Sequence, residues 1–233
     1  MGFIELVNVD KFFRTRDKEI HALQDVTFEI EEGEICVVVG EKNAGKTTLL
    51  NLLGGLDTVT RGRMVLSMVD IADFSDKQLT FYRRNNIGFV FQLQDLIPNL
   101  NVLENVEIAS QLSRGSLKAE QVLKEVGLEK KMPDFPLELS REEQQRVAIA
   151  RSLVKRPKLL LCDEPIGGLD YKSGKELLKL LQELNQKYGV TTIIVTENTA
   201  LAAMANRVIQ LNRGRVERVV LNQIMTPVEW IEW

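Results

Sequence analysis

The sequence predicts an α/β fold organised around a mainly parallel sheet. Three observations carry this. Short apolar, β-rich runs alternate with helical stretches along the chain. A glycine-lysine loop, GEKNAGKT, sits between one such run and a helical stretch. Between Gln92 and Lys155 the patterns are helical without a strand, so residues 92–155 are expected to form a helical lobe inserted into an α/β body made of residues 1–91 and 156–220. Residues 221–233 are expected to form a C-terminal tail.

In chain order, extended segments are expected at Ile4–Val9, Val26–Ile30, Ile35–Val39, Met64–Leu66, Ile87–Phe91, Leu159–Cys162, Thr191–Val195 and Arg207–Leu211. Helices are expected at Lys46–Leu53, Asp76–Arg84, Val102–Leu112, Leu117–Val126, Glu142–Val154, Ser173–Lys187 and Thr199–Ala205. The tail holds both tryptophans, Trp230 and Trp233; packing on their own domain is favoured over anchoring a partner or a membrane surface.

Composition narrows the function. Of 233 residues, 44% are hydrophobic and 27% charged, enough to build a core and to exclude disorder as the main state. With 30 Lys+Arg against 33 Asp+Glu, the formal net charge of −3 gives no sign of a nucleic-acid binder. The apolar runs fall far short of the roughly 18–20 residues that cross a bilayer. The start, MGFIELVNVD, lacks a basic-then-apolar signal pattern, so a cytoplasmic location is expected. Cys36 and Cys162 each lie in an apolar run, which favours two buried reduced thiols over a disulfide or a metal site.

The loop from Gly40 to Thr47 matches G-x-x-x-x-G-K-[ST] in the required strand-to-helix context. Successive backbone N–H groups opening onto a helix N-terminus cradle phosphate, Lys46 suits the β- and γ-phosphates, and Thr47 suits Mg²⁺. Gly40, Asn43, Ala44, Gly45, Lys46, Thr47 and Thr48 are therefore expected to bind nucleotide. Glu41, Lys42 and Asn43 are unusual at the variable positions, although Asn tolerates the left-handed conformation well enough for the loop to close.

Farther along, KLLLCDEP ends an apolar strand in two carboxylates, Asp163 and Glu164, one suited to Mg²⁺ and one to polarising an attacking water. FVFQ ends at Gln92, and LSREEQQRVAIARSL spans Leu139 to Leu153. Together, in this order, these residues resemble the nucleotide-binding subunits of ABC transporters over essentially the whole chain. The segments IGFVFQLQDLIPNLNVLENV and RVIQLNRGRVE are most similar to the branch serving lipoprotein release and the export of macrolides and antimicrobial peptides.

The resemblance implies an ABC-type P-loop NTPase core with an N-terminal antiparallel β subdomain and an inserted helical lobe. It implies ATP and Mg²⁺ as ligands, with Glu164, Lys46 and Gln92 in catalysis and Thr47, Gln92 and Asp163 around the metal. Phe13 in VDKFFR matches the aromatic that stacks on adenine, with a core Phe as the competing reading. Gln92 matches the residue that senses Mg²⁺ and γ-phosphate, against a plain polar loop residue. Asp170 in PIGGLD matches a loop that communicates between subunits, against a simple helix N-cap. The branch implies a separate FtsX- or MacB-like permease, a homodimer or a mixed dimer with another ABC subunit, and a peripheral position on the inner face of the cell membrane.

The chain departs from the family's pattern twice. Where the family has LSGGQ contacting the γ-phosphate held by a second subunit, this chain has Leu139, Ser140, Arg141, Glu142 and Glu143. Both glycines are gone, and S-x-x-E is a capping box that would satisfy the helix's first N–H groups within the chain. Two carboxylates facing γ-phosphate would repel it; a unit pair near 4 Å is worth roughly 4 kcal/mol at an effective dielectric of 20. The second departure is Glu197 in VTEN, where the family has His; an ionised carboxylate cannot donate a hydrogen bond and is expected to add repulsion. The one histidine, His21, is expected at the surface or in packing. The expected function is thus an ATP-driven transport subunit whose isolated chain hydrolyses slowly. The alternative is a degenerate nucleotide-binding regulatory or structural subunit that pairs with a competent ABC ATPase.

Overall fold

The computed structural model describes residues 2–14, 18–91, 96–113 and 115–233. In chain order the elements are β1 (Ile4–Arg14), β2 (Glu19–Ile30), β3 (Ile35–Val39), α1 (Lys46–Leu53), β4 (Arg61–Leu66), β5 (Val69–Asp70), α2 (Asp76–Asn86), β6 (Ile87–Val90), α3 (Val102–Ser110), α4 (Ala119–Glu125), α5 (Arg141–Leu153), β7 (Leu159–Asp163), α6 (Tyr171–Tyr188), β8 (Thr191–Thr196), β9 (Arg207–Asn212) and β10 (Arg215–Leu221). The chain divides into two compact units, residues 1–81 with 191–233, and residues 82–190.

The first unit holds two sheets. The antiparallel sheet expected near the N-terminus has the order β2-β1-β4-β5. In the other sheet β3 pairs in parallel with both β8 and β9, and β9 turns back antiparallel into β10. All five residues of β3 and all six of β8 are buried. That is why they read as continuous apolar runs rather than alternating ones. Helix α1 seats Leu49, Leu50, Leu52 and Leu53 in the core, and it also packs on β8.

Two strands were not expected, and both follow two-residue turns. Between β4 and β5 the turn is Ser67-Met68, with φ of 50° and 66°, closing the pair Leu66 and Val69. Between β9 and β10 it is Arg213-Gly214, with φ of 46° and 78°, closing Asn212 and Arg215. Positive φ at both central positions is the hairpin geometry usually marked by Asn-Gly or Asp-Gly; Ser-Met gives no such mark. The expected helix at Thr199–Ala205 is a 3₁₀ helix, Thr199–Met204, capped by Asn198, whose side chain accepts from Ala200 N at 3.0 Å.

The tail is held by different residues from those expected. Val228 and Ile231 are buried, whereas Trp230 is 77% exposed and Trp233 is exposed too. Pro227 and the 3₁₀ turn Val228–Trp230 point the small apolar residues inward, so the Trp pair does not pack as the core of the tail. His21 lies at the surface, its ring 4.4 Å from that of Phe12.

In the second unit β6 and β7 pair in parallel, Ile87 with Leu159 through Val90 with Cys162. Helix α5 packs on β6 and against α3, α4 and α6. Helix α6 buries a leucine stripe, Leu177, Leu178, Leu180, Leu181 and Leu184, and ends on Gly189 at φ 63°, a left-handed stop that glycine adopts without a Cβ penalty. Asn101 and Glu104 form a reciprocal capping box at the start of α3. The wholly buried Asn105 is matched four ways, donating to the carbonyls of Ile97, Leu100 and Asn101 and accepting from Ile97 N. The expected lobe, residues 92–155, lies inside this unit. Cys36 and Cys162 are both buried thiols, and burial raises the pKa of each.

Candidate functional site

The site in the first unit starts from strand register. Val39, the last residue of β3, lies beside Thr196, the last of β8, and Gly40 N donates to Thr196 O at 3.3 Å. The chain leaving β3 therefore becomes the loop at the same level where the chain leaving β8 becomes Glu197. Gly40 is required by space: a Cβ there would lie 2.3 Å from Leu211 O. Asn43 takes φ 65°, the left-handed conformation expected of it.

Gly45 opens α1 at φ 104° and supplies no side-chain cap, while a Cβ on it would meet Ala22 O at 2.6 Å. Those constraints admit glycine alone, and they leave the first N–H groups of an eight-residue helix without a side-chain cap at the loop. Ala44 is buried, Lys46 buried, Thr47 exposed and Thr48 half-buried. The Lys46 ammonium folds back over its own loop, donating to Gly40 O at 2.7 Å and Glu41 O at 2.9 Å. Glu197 Oε1 stands 3.7 Å from the same nitrogen, an ion pair that loop spacing alone does not disclose. Register supplies the reason: parallel β3 and β8 end side by side, so residues 40 and 197 become neighbours although they are far apart in sequence.

The repulsion expected of Glu197 is thus met, within this unit, by an attraction to Lys46. Beside the loop lies a cavity of about 410 Å³, lined among others by Gly40, Glu41, Lys42, Glu197, Asn212 and Glu217. Phe13, on β1, is 40% exposed with the Lys11 ammonium 5.0 Å from its ring centroid; it is not a core residue.

In the second unit Asp163 closes β7 and Glu164 follows it, both half-buried. Glu164 sits at φ 45°, in the left-handed region that non-glycine residues enter at a cost of about 1–3 kcal/mol. The turn after it is closed by Gly167 N donating to Glu164 O at 2.8 Å and Leu169 N to Ile166 O at 3.1 Å. Asp170 caps α6, accepting from Ser173 N at 3.0 Å and from the Ser173 hydroxyl at 2.7 Å, which holds its carboxyl below the usual range. Gln92 lies outside the described residues.

The altered signature segment forms the capping box its sequence implies. Ser140 Oγ accepts from Glu143 N at 3.2 Å and Ser140 N donates to Glu143 Oε2 at 2.7 Å. Burial pushes the Glu143 carboxyl up, but the Ser140 hydrogen bonds and the Lys131 ammonium at 3.6 Å outweigh it and hold the pKa below its ordinary value. Glu142 is paired with Arg146, Nη2 at 2.7 Å and Nε at 2.8 Å, and Arg146 also donates to Val126 O. Arg141 Nη1 donates to Gly168 O at 3.5 Å, reaching the turn that follows Glu164. Each of the two carboxylates has a cationic partner in its own chain. The cap and the i,i+4 spacing of Glu142 and Arg146 are local to the sequence, whereas Lys131 and Gly168 come close only through the packing of the unit.

Comparison with known proteins gives the family. The family model described as "ABC transporter" matches residues 23–167. The lipoprotein-releasing system ATP-binding protein LolD of Syntrophotalea carbinolica is 40% identical over 220 residues, covering 92% of this chain and 97% of the relative. The ABC transporter ATP-binding protein YtrE of Bacillus subtilis is 38% identical, covering 91% and 95%. The macrolide export ATP-binding/permease protein MacB of Rhodopirellula baltica is 38% identical over 96% of this chain and 34% of its own length. Among solved structures, the ATP-binding cassette MJ0796, a dimer in a post-hydrolysis state bound to ADP and Pi, superposes with a TM-score of 0.85 at 38% identity, covering 94% of this chain and 98% of that one. Compared by sequence, the ABC transporter ATP-binding protein MJ0796 of Methanocaldococcus jannaschii is 40% identical over 92% of this chain and 95% of the relative. The chain belongs to the ABC transporter family, as an ABC-type ATPase and ATP-binding subunit of the type to which LolD and MacB belong.

Proposed function

We propose that this chain is the ATP-hydrolysing subunit of a transporter whose membrane part is a separate FtsX- or MacB-like permease, and that it serves the export or extraction of a peptide, lipoprotein or drug. Among the described residues no helix is long and apolar enough to cross a membrane. The proposed location is the cytoplasmic face of the membrane. The dimeric state of the similar cassette supports a dimer here, either of two copies or with another ABC subunit. The relatives lend no support to the purely regulatory alternative.

The loop N–H groups and Lys46 hold the β- and γ-phosphates, and Phe13 offers an exposed ring face to adenine. Thr47 and Asp163 are each a hard oxygen donor of the kind Mg²⁺ takes beside phosphate oxygens, and each would be a ligand to that ion. Bound there, Mg²⁺ supplies charge neutralisation on the phosphates. Glu164 orients a water and accepts its proton as the water oxygen bonds to the γ-phosphorus and the bond to the β-phosphate bridging oxygen breaks, giving ADP and phosphate. Turnover by the isolated chain is slow, because Arg141, Glu142 and Glu197 stand where the family has two glycines and a histidine.

The observation that carries the reading is the loop itself: Gly45 at φ 104° opening α1 with the Lys46 ammonium folded over the loop. Thermal unfolding with and without ATP tests it. At ATP about 100-fold above Kd the melting temperature should rise roughly 5–10 °C, and Lys46→Ala should abolish the rise. No shift in the unaltered protein would contradict the reading.

A further inference from the structure

The Lys46–Glu197 contact suggests how this site chooses between nucleotides. A buried ammonium needs partners, and Lys46 is 7% exposed. Two carbonyls of its own loop take hydrogen bonds from it, at 2.7 and 2.9 Å, and the Glu197 carboxylate at 3.7 Å provides the opposing charge. The position is built in rather than incidental. Thr196 is fixed by pairing with Val39, and Asn198 by its N–H to the Thr196 hydroxyl at 3.1 Å and by its cap on Ala200, so the backbone of Glu197 is anchored on both sides.

The side chain is 56% exposed, so it can turn to water once a phosphate takes its place on Lys46. Charges around the neighbouring cavity do not offset it: Glu41 and Glu217 line it along with Glu197, against Lys42. We propose that Glu197 is a nucleotide-selecting residue: its carboxylate stands in for the terminal phosphate on Lys46 and so favours a nucleoside diphosphate over a triphosphate. A lysine in this loop position meets the β- and γ-phosphates. A diphosphate satisfies it with one group, whereas a triphosphate brings a further negative group toward Glu197. This rests on the reading that the loop binds nucleotide.

Titration calorimetry of ADP and ATP, with Mg²⁺ chelated so that ATP is not hydrolysed, tests the proposal on the unaltered chain, Glu197→Gln and Glu217→Gln. Glu197→Gln should tighten ATP about fivefold more than ADP, the effect of removing one like charge at about 4 Å under water-like screening. Glu217→Gln removes a carboxylate from the same cavity and should leave the ATP-to-ADP ratio unchanged. An equal effect of Glu197→Gln on both nucleotides, or a ratio shift as large in Glu217→Gln, would overturn the proposal while leaving nucleotide binding intact. Failure of every form to bind either nucleotide would overturn the nucleotide reading, and the proposal with it.

Discussion

Ser140 and Glu143 complete one another across the first turn of α5: the serine hydroxyl accepts from Glu143 N at 3.2 Å, and the glutamate accepts from Ser140 N at 2.7 Å. The helix start that would greet an anion is thus capped from within its own chain. Ser140→Ala should lower the unfolding free energy by about 1 kcal/mol, a drop in melting temperature of roughly 2–4 °C. Calorimetry checks this, and an unchanged melting temperature would mean the cap contributes nothing in solution.

Acid should destabilise the protein. Glu125 illustrates the cause: burial pushes its carboxyl up, but the Tyr188 hydroxyl, the Lys187 ammonium at 2.9 Å and the Gln121 amide outweigh burial and hold it below its ordinary value of 4.5. Glu143 and Asp170 are lowered as well. A carboxyl whose folded pKa is depressed contributes stability that is complete above its unfolded pKa and is lost as pH falls through the folded one. The urea midpoint should therefore hold from neutrality to about pH 5 and fall below it. Tyr188→Phe should lower the midpoint at pH 7 and shrink the acid-side fall. A midpoint that rises on acidification would contradict the assignment.

Much of this architecture was legible in residue patterns. Helix α1 begins and ends as expected, because a glycine loop opens it and Gly54 caps its far end. Strands β3 and β8 announced themselves as apolar runs since both are wholly buried. By contrast, β5 was hidden behind Ser67-Met68, whose left-handed turn carries no glycine or asparagine. The capping box at Ser140 is a local pattern and was visible. The proximity of Lys46 to Glu197 was not, since it depends on the parallel register that ends Val39 beside Thr196. The same holds for Arg141 reaching Gly168 O and for Lys131 facing Glu143. Tertiary partners such as Lys131 have no signature in spacing, whereas the Glu142–Arg146 pair is an i,i+4 pair on one helix whose spacing the sequence does carry.

This ATPase keeps its nucleotide-binding loop and Asp163-Glu164 pair, and its proposed slow turnover is assigned to Arg141, Glu142 and Glu197. Steady-state phosphate release from the isolated chain tests it most directly, measured beside the triple variant Arg141→Gly, Glu142→Gly, Glu197→His and with Glu164→Gln as the silent control. The triple variant should release phosphate at least about tenfold faster, a lowering of the barrier by roughly 1.4 kcal/mol or more, provided its melting curve shows a folded protein. Equal rates in the unaltered chain and the folded triple variant, both abolished by Glu164→Gln, would contradict it.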